Sequence, residues 1–402
     1  MRKRRGHLAG FLGSSPSQSQ RFSRCAELRL LYAGHTYLVD ENQKKLAAIA
    51  RAEGIDLAVV VPHIWREPVL ETIYPHLDPE ASYRIFPTRI ALPGDEMRYF
   101  YLSMDLHMRR FHPDIIVVEN GAGALAYTQF LLSKRRFAPQ AKAVFFTWWN
   151  IPYRPRQPFR AIEHFNLQNS DGAIAGSRSA EFILRENGYS GPLLVLPQLG
   201  VDATLFSPGD GDKLRKELGL GDFVIGYAGR LVSEKGLRVL MRSLEGFGRD
   251  FDLLLVGNGP LEPELRVWGA ALPEGRRLRV HPSVPHAQIP ALMQTMDVFV
   301  LPSLTTPVWK EQFGHVLIEA MACSVPVVGS DSAEIPEVIG GAGRVVPEDD
   351  PDGLRVALRE LAANPDERTA LGLQGRARVL AQFTHERISA CTVDFLFDLL
   401  DS

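Results

Sequence analysis

The sequence predicts an α/β protein made of two doubly wound parallel-sheet domains facing a cleft. Three observations carry this. Short apolar runs alternate with amphipathic stretches along most of the 402 residues, the rhythm of repeated βα units. The runs are uniformly apolar, as in strands covered on both faces of a parallel sheet. The rhythm breaks around residues 198–211, where Pro197, Gly200, Pro208, Gly209 and Gly211 crowd together and read as a linker.

The elements follow in order. Residues 1–26 carry Arg2, Lys3, Arg4, Arg5, Arg21 and Arg24, no acid, and a Ser/Gln-rich centre. Such a composition predicts a disordered basic tail. Its apolar stretch, 8–12, is too short for a signal-peptide core, and an anionic membrane surface is the partner its charge would suit. Residues 28–32 read as a strand and 41–53 as a helix with Leu46, Ile49 and Ala50 on one face, stopped by Gly54. Strands are expected at 57–61 and 83–86, a helix at 97–111, then strands at 114–118, 143–147, 172–175 and 193–196. After the linker, strands restart at 223–227, 252–256, 278–281, 297–301, 326–329 and 344–347. A last helix, 384–400, places Ile388, Cys391, Phe395 and Leu399 on one stripe. The expected organisation is a tail over 1–26, a first domain over 27–205, a second domain over 206–383, and a helix over 384–402 that packs back on the first domain.

Composition narrows the function. A net charge of −2 excludes a chain-wide nucleic-acid footprint. Cys25, Cys323 and Cys391 lie far apart, so neither a disulfide framework nor a spaced zinc site is expected, and a reducing cytoplasm suits them. No metal site is expected: the eleven histidines show no HExxH spacing. No apolar run approaches the ~20 residues of a membrane span. Gly121-Ala-Gly123-Ala-Leu-Ala126 follows a strand, but no acid for a ribose ends the next strand, so it reads as a tight turn rather than a dinucleotide site. The pairs Asp210/Asp212, Asp250/Asp252 and Asp350/Asp352 fall in turns or before elements, where Asp serves as a cap. Trp148 and Trp149 are read as core.

The chemistry concentrates in the second half. Strand 223–227 runs into Gly229, Arg230, Lys235 and Gly236 before a helix. Gly229 permits close backbone approach. Arg230 offers a planar fork and Lys235 a point charge, beside a helix N-terminus whose unpaired N–H groups favour anions. Strand 297–301 leads to a second such element, with a helix starting near Gly314 and bare N–H groups at Gly314, His315 and Val316. Two cations and two helix ends can neutralise a diphosphate without a metal. Glu311 sits in the loop and Glu319 inside the helix, two acceptor-only groups suited to vicinal hydroxyls. In the first half His35, Glu119 and Asn150 each follow a strand facing the cleft.

Gly229-Arg230 with Lys235-Gly236, the Glu311/Glu319 pair, the run 319–328 and the pieces 301–303, 200–202 and 334–337 together resemble the retaining family 4 glycosyltransferases of the GT-B fold. That resemblance implies two Rossmann-like domains, 27–205 for the acceptor and 206–383 for the donor, clamping a UDP- or GDP-linked sugar, with no other cofactor. It implies that Arg230 and Lys235 bind the diphosphate, Glu311 the donor sugar and Glu319 the ribose. The amides of Phe313, Gly314, His315 and Val316 would meet phosphate or sugar oxygens. The acceptor would be a glycan, a lipid-linked sugar or a small glycoside. A GT-B nucleotide-sugar epimerase and a non-catalytic sugar-nucleotide or glycan-binding subunit are the alternatives. The first loop, Ala33-Gly34-His35-Thr36-Tyr37, and Trp148-Trp149-Asn150 depart from the family's usual Gly-Gly turn and His, which leaves His35, Glu119 and Asn150 as candidates for the contact to the reacting sugar.

Overall fold

A computed structural model of the chain describes residues 27–66 and 72–401. The segment 1–26, with the tail expectation attached to it, lies outside the described residues. Among the described residues, the first sheet has seven strands. In spatial order they are Leu193–Val195, Gly172–Ala175, Lys142–Thr147, Ile115–Val118, Leu28–Ala33, Ile55–Pro62 and Arg84–Thr88. All pairings are parallel. The second sheet has six, in the order Arg276–His281, Phe251–Val256, Val224–Ala228, Val298–Leu301, Val327–Ser330 and Arg344–Val346, again all parallel. Central strands such as Ile115–Val118 and Phe251–Val256 are buried along their whole length. That burial on both faces is why they are apolar runs.

Each sheet has a point where strand order reverses. In the first it lies between Leu28–Ala33 and Ile115–Val118, in the second between Val224–Ala228 and Val298–Leu301. Ligands of open α/β sheets bind outside the carboxyl ends of strands at this point. Residues 34–36, 119–121, 229–236 and 302–314 follow those four strands.

The chain crosses between domains twice, and the crossings are joined. Val201 N–H donates to the Phe383 carbonyl at 2.8 Å, and Val201 and Thr384 form an isolated parallel bridge. Gly200 makes this approach feasible, since a Cβ there would lie 2.4 Å from the Thr384 carbonyl carbon. Val201 and Phe206 already belong to the second core, whereas Ile388, Leu396 and Leu399 belong to the first. The helix His385–Leu400, capped by the Thr384 side chain, therefore straps the second domain onto the first. Ser389 Oγ donates to the Lys45 carbonyl at 3.1 Å. Each fully buried aliphatic side chain of that strap contributes about 1.5–3 kcal/mol.

One expected helix is corrected. Residues 97–111 are not continuous: Phe100–Tyr101 pairs antiparallel with Ile90–Ala91, and the helix is Met104–Phe111. Gln129 fixes the strand by accepting from the Tyr101 N–H at 2.9 Å and donating to its carbonyl at 2.5 Å. A second short hairpin, Trp65–Arg66 with Thr72–Ile73, has no counterpart in the sequence reading.

Candidate active site

The loop after Val224–Ala228 is shaped by two glycines with positive φ, one of them in close backbone contact. Gly229 has φ 147°, and Gly236, at φ 69°, presses on the next loop so tightly that a Cβ would lie 1.7 Å from the Pro302 oxygen. Only glycine combines that left-handed backbone with that approach. The contact sets Lys235, on the single turn Ser233–Lys235, against the loop that carries Glu311. Lys235 Nζ lies 2.6 Å from Glu311 Oε2, with side chains 15% and 9% exposed. Ser303 Oγ donates to the same oxygen at 2.9 Å. The ammonium also lies 4.9 Å from the centroid of the Trp309 ring. An ammonium has three donors and Glu311 uses one. Tyr227 donates its hydroxyl to the Arg230 carbonyl at 2.7 Å, and burial, then the charge of Glu311, holds that phenol well above its ordinary pKa. Arg230 itself is 65% exposed, 3.8 Å from Glu234. It borders the site as a surface ion pair rather than joining the buried cluster.

The helix His315–Ala322 starts at Gly314, which has φ 81° and gives no side-chain cap. Its first N–H groups thus lack intrahelical partners and carry the positive end of the helix dipole. Phe313 turns its ring into the core, against Trp148 and Phe383, so only its backbone is available here. His315 lies against the Phe313 and Trp148 rings, and burial lowers its pKa, favouring the neutral imidazole. Val316 is partly buried. Glu319 is engaged by His286, Nε2 to Oε1 2.9 Å.

That contact raises the His286 pKa, chiefly through the hydrogen bond to Glu319 and then its charge, against burial. A group whose folded pKa is raised adds stability that is complete below its unfolded pKa, about 6.5 for imidazole, and is lost as pH climbs through the folded value. The melting-temperature gap between wild type and His286→Ala should therefore be widest near pH 6 and shrink toward pH 9. A gap that widens with pH contradicts this account.

The first domain supplies the opposite wall, a cavity of about 720 Å³ lined by His35, Glu119, Asn120, Thr147, Trp149 and Gln312 among others. Asn150 is buried and crosses the cleft: its Nδ2 donates to the Glu311 carbonyl at 3.0 Å. His35 stacks on Trp65 at 4.4 Å, its Nε2 3.6 Å from Glu96. Both oxygens of Glu119 are engaged, Oε1 by Lys45 Nζ and Oε2 by Gln198 Nε2, each at 2.7 Å. With side chains 2% and 1% exposed, Lys45 and Glu119 form a buried pair beneath the cavity. Gln198 then accepts from Trp148 Nε1 at 2.8 Å. Trp148 packs against both cores, but Trp149 is half exposed at the cavity and is not core.

The structure thus gathers Lys235, Glu311 and Asn150 into one cluster with the helix end at Gly314. Arg230, His35 and Glu319 lie around it, each with another neighbour. Ser303, Trp309, Lys45, Gln198 and His286 take part without having been singled out for a role. Ser303 follows a strand and could have been; His286, on a short turn before Ile289–Met293, carries no sequence signal.

Residues 210–378 match the family of glycosyl transferases group 1. That match lies within the second domain, and the two-domain architecture as a whole is a GT-B fold. A GDP-mannose-dependent α-(1-6)-phosphatidylinositol monomannoside mannosyltransferase of Mycolicibacterium smegmatis is 35% identical over 199 residues, 46% of this chain and 52% of that protein. The protein of the same description from Mycobacterium tuberculosis is 28% identical over 334 residues, 79% of this chain and 84% of that one. The match thus spans about half of the first relative and most of the second. In shape, the crystal structure of a glycosyltransferase from Rickettsia africae superposes with a TM-score of 0.73 at 16% identity, over 94% of this chain and 99% of that one. The group 1 match starts in the linker, at 210, and includes Arg230, Lys235, Glu311 and Glu319; His35 and Glu119 of the cavity wall, and Asn150, lie outside it.

Proposed function

We propose that the chain is a glycosyltransferase that moves a hexosyl unit from a nucleoside-diphosphate sugar to an acceptor hydroxyl, with retention and without a metal. The observation that carries it is the buried Lys235–Glu311 pair beside the uncapped helix end at Gly314, with Gln312, next to Glu311, lining the cavity of the other domain. In this reading the bond from the anomeric carbon to the diphosphate oxygen breaks. The bond to the acceptor oxygen forms on the same face, and the acceptor proton passes to the departing diphosphate. Lys235, Arg230 and the amides of 313–316 stabilise the charge on the diphosphate, the kind of preorganised electrostatics that dominates many enzymes. Glu311 orients Lys235 and meets the donor sugar. Glu319 meets the ribose. Asn150 ties the two domains together across the cleft, which supplies orientation.

GDP-mannose is the first donor to try, because the two mycobacterial relatives carry it in their descriptions. UDP-hexoses come next. A lipid-linked or glycan acceptor follows from the same relatives. Purified chain should transfer label from GDP-[14C]mannose or a UDP-[14C]hexose to a lipid or glycan acceptor, release the free nucleotide, and keep the anomeric configuration by NMR. Isomerised sugar without transfer would make it an epimerase, and binding without turnover a recognition module.

Metal independence has its own test. Among the described residues, no group of three or more His, Cys, Asp or Glu is placed to hold a metal ion. Turnover should persist in excess EDTA. Loss of turnover on chelation with recovery on Mg²⁺ or Mn²⁺ would refute it.

A further inference from the structure

The first domain carries an outward face that none of this chemistry uses. In the hairpin strand Phe100–Tyr101, Tyr101 is buried, and its neighbours on either side, Phe100 and Leu102, point outward, Leu102 60% exposed. The helix Met104–Phe111 buries Met104, Met108 and Phe111 and exposes Leu106, Arg109 and Arg110 on the opposite stripe. The helix Leu125–Phe137 lies alongside, joined by Ser133 Oγ to Asp105 at 2.7 Å. It adds exposed Leu132 and, one turn on, exposed Arg136. The guanidiniums of Arg109 and Arg136 approach the same Phe137 ring, at 5.7 and 5.1 Å, so the two basic edges meet. Among the described residues, neither these two nor Arg110 forms an ion pair with a carboxylate.

We infer that this face docks the protein on an anionic phospholipid surface. Scattered exposed leucines need no explanation, but four exposed apolar side chains on adjoining elements, edged by arginines, do. Apolar side chains edged by arginines match the boundary between acyl chains and acidic headgroups. A second copy fits poorly: a two-fold contact through this face would set arginines against arginines. Docking would also orient the catalytic cleft, because the loop of the same hairpin carries Met97 and Arg98 into the cavity wall. The inference concerns binding alone and does not depend on the donor or the reaction.

The test is co-sedimentation of the full chain with phosphatidylcholine vesicles, pure or doped with phosphatidylglycerol. Wild type should bind the doped vesicles, not the pure ones, and release with added salt. Arg109→Glu with Arg110→Glu should weaken partitioning roughly thirtyfold or more, taking the usual contribution of each basic residue near such a surface. Leu102→Glu with Leu106→Glu should abolish it. A chain with Arg2, Lys3, Arg4 and Arg5 changed to Ser should still bind. As a reporter that keeps the face intact, Phe100→Trp should add an indole emission that shifts to the blue on doped vesicles. Overturning results are no wild-type binding, equal binding to pure vesicles, wild-type binding by the leucine variant, loss of all binding in the tail variant, or no blue shift in the Phe100→Trp chain. Self-association that Leu102→Glu abolishes would instead assign the face to a second copy.

Discussion

Lys235→Ala should lower kcat/KM for the donor by about a hundredfold. A charge-assisted hydrogen bond contributes roughly 1.5–3 kcal/mol, a factor of about ten to a hundred. The upper end applies because Lys235 is largely buried and bound at 2.6 Å. The variant also leaves Glu311 buried without its cation, and breaking a buried pair can cost about 3–5 kcal/mol of stability. Ser303 Oγ still reaches that carboxylate, so the loss should fall below that range. The structural and catalytic parts are separable. Adding Glu311→Gln to Lys235→Ala removes the stranded charge, so the double variant should regain melting temperature but not turnover. Two outcomes refute the assignment: wild-type kcat/KM in Lys235→Ala, or recovery of activity together with stability in the double variant.

Both sheets are legible in the sequence because their strands are buried on two faces, which leaves an uninterrupted apolar run for each. The expected helix over 97–111 failed for an equally physical reason. Tyr101, Met104, Met108 and Phe111 are all buried, and their spacing mimics a helical stripe that continues into the hairpin. Periodicity cannot show that Tyr101 faces the core from a strand. At the site, residue types were readable where a strand ends at a glycine, as with Gly229, Arg230 and Lys235. Contacts were not. Lys235 and Glu311 are 76 residues apart, and His286 lies 33 before Glu319, distances over which loop side chains leave no repeating pattern. Glu119 shows the same limit. Its place after a strand made it a candidate for the cleft, while the lysine that engages it comes from the helix Asp40–Ala50, whose amphipathic pattern hides one buried cation.

Glu311→Gln and Glu319→Gln should fail in different ways. Gln keeps the size of Glu and removes the charge. At 311 the change deprives Lys235 of its ionised partner at the sugar end, where interactions strengthen as charge develops on the ring. Interactions made mainly in the transition state appear in kcat, so kcat should fall about ten- to a hundredfold while donor Kd moves much less. At 319 the carboxylate lies inside the helix His315–Ala322 and is held by His286. A contact to the unreacting ribose is uniform binding, whose loss raises KM. A neutral hydrogen bond contributes about 0.5–1.5 kcal/mol, so donor KM should rise roughly two- to tenfold with kcat little changed. The same substitution removes the main cause of the raised His286 pKa, so the stability of Glu319→Gln should fall less between pH 6 and 9 than that of wild type. That pH readout places the glutamate even where kinetics are ambiguous. Steady-state kinetics, calorimetric donor binding and melts across pH, run on both variants, decide the matter. A normal kcat in Glu311→Gln, or a defect confined to kcat in Glu319→Gln, would exchange the two roles.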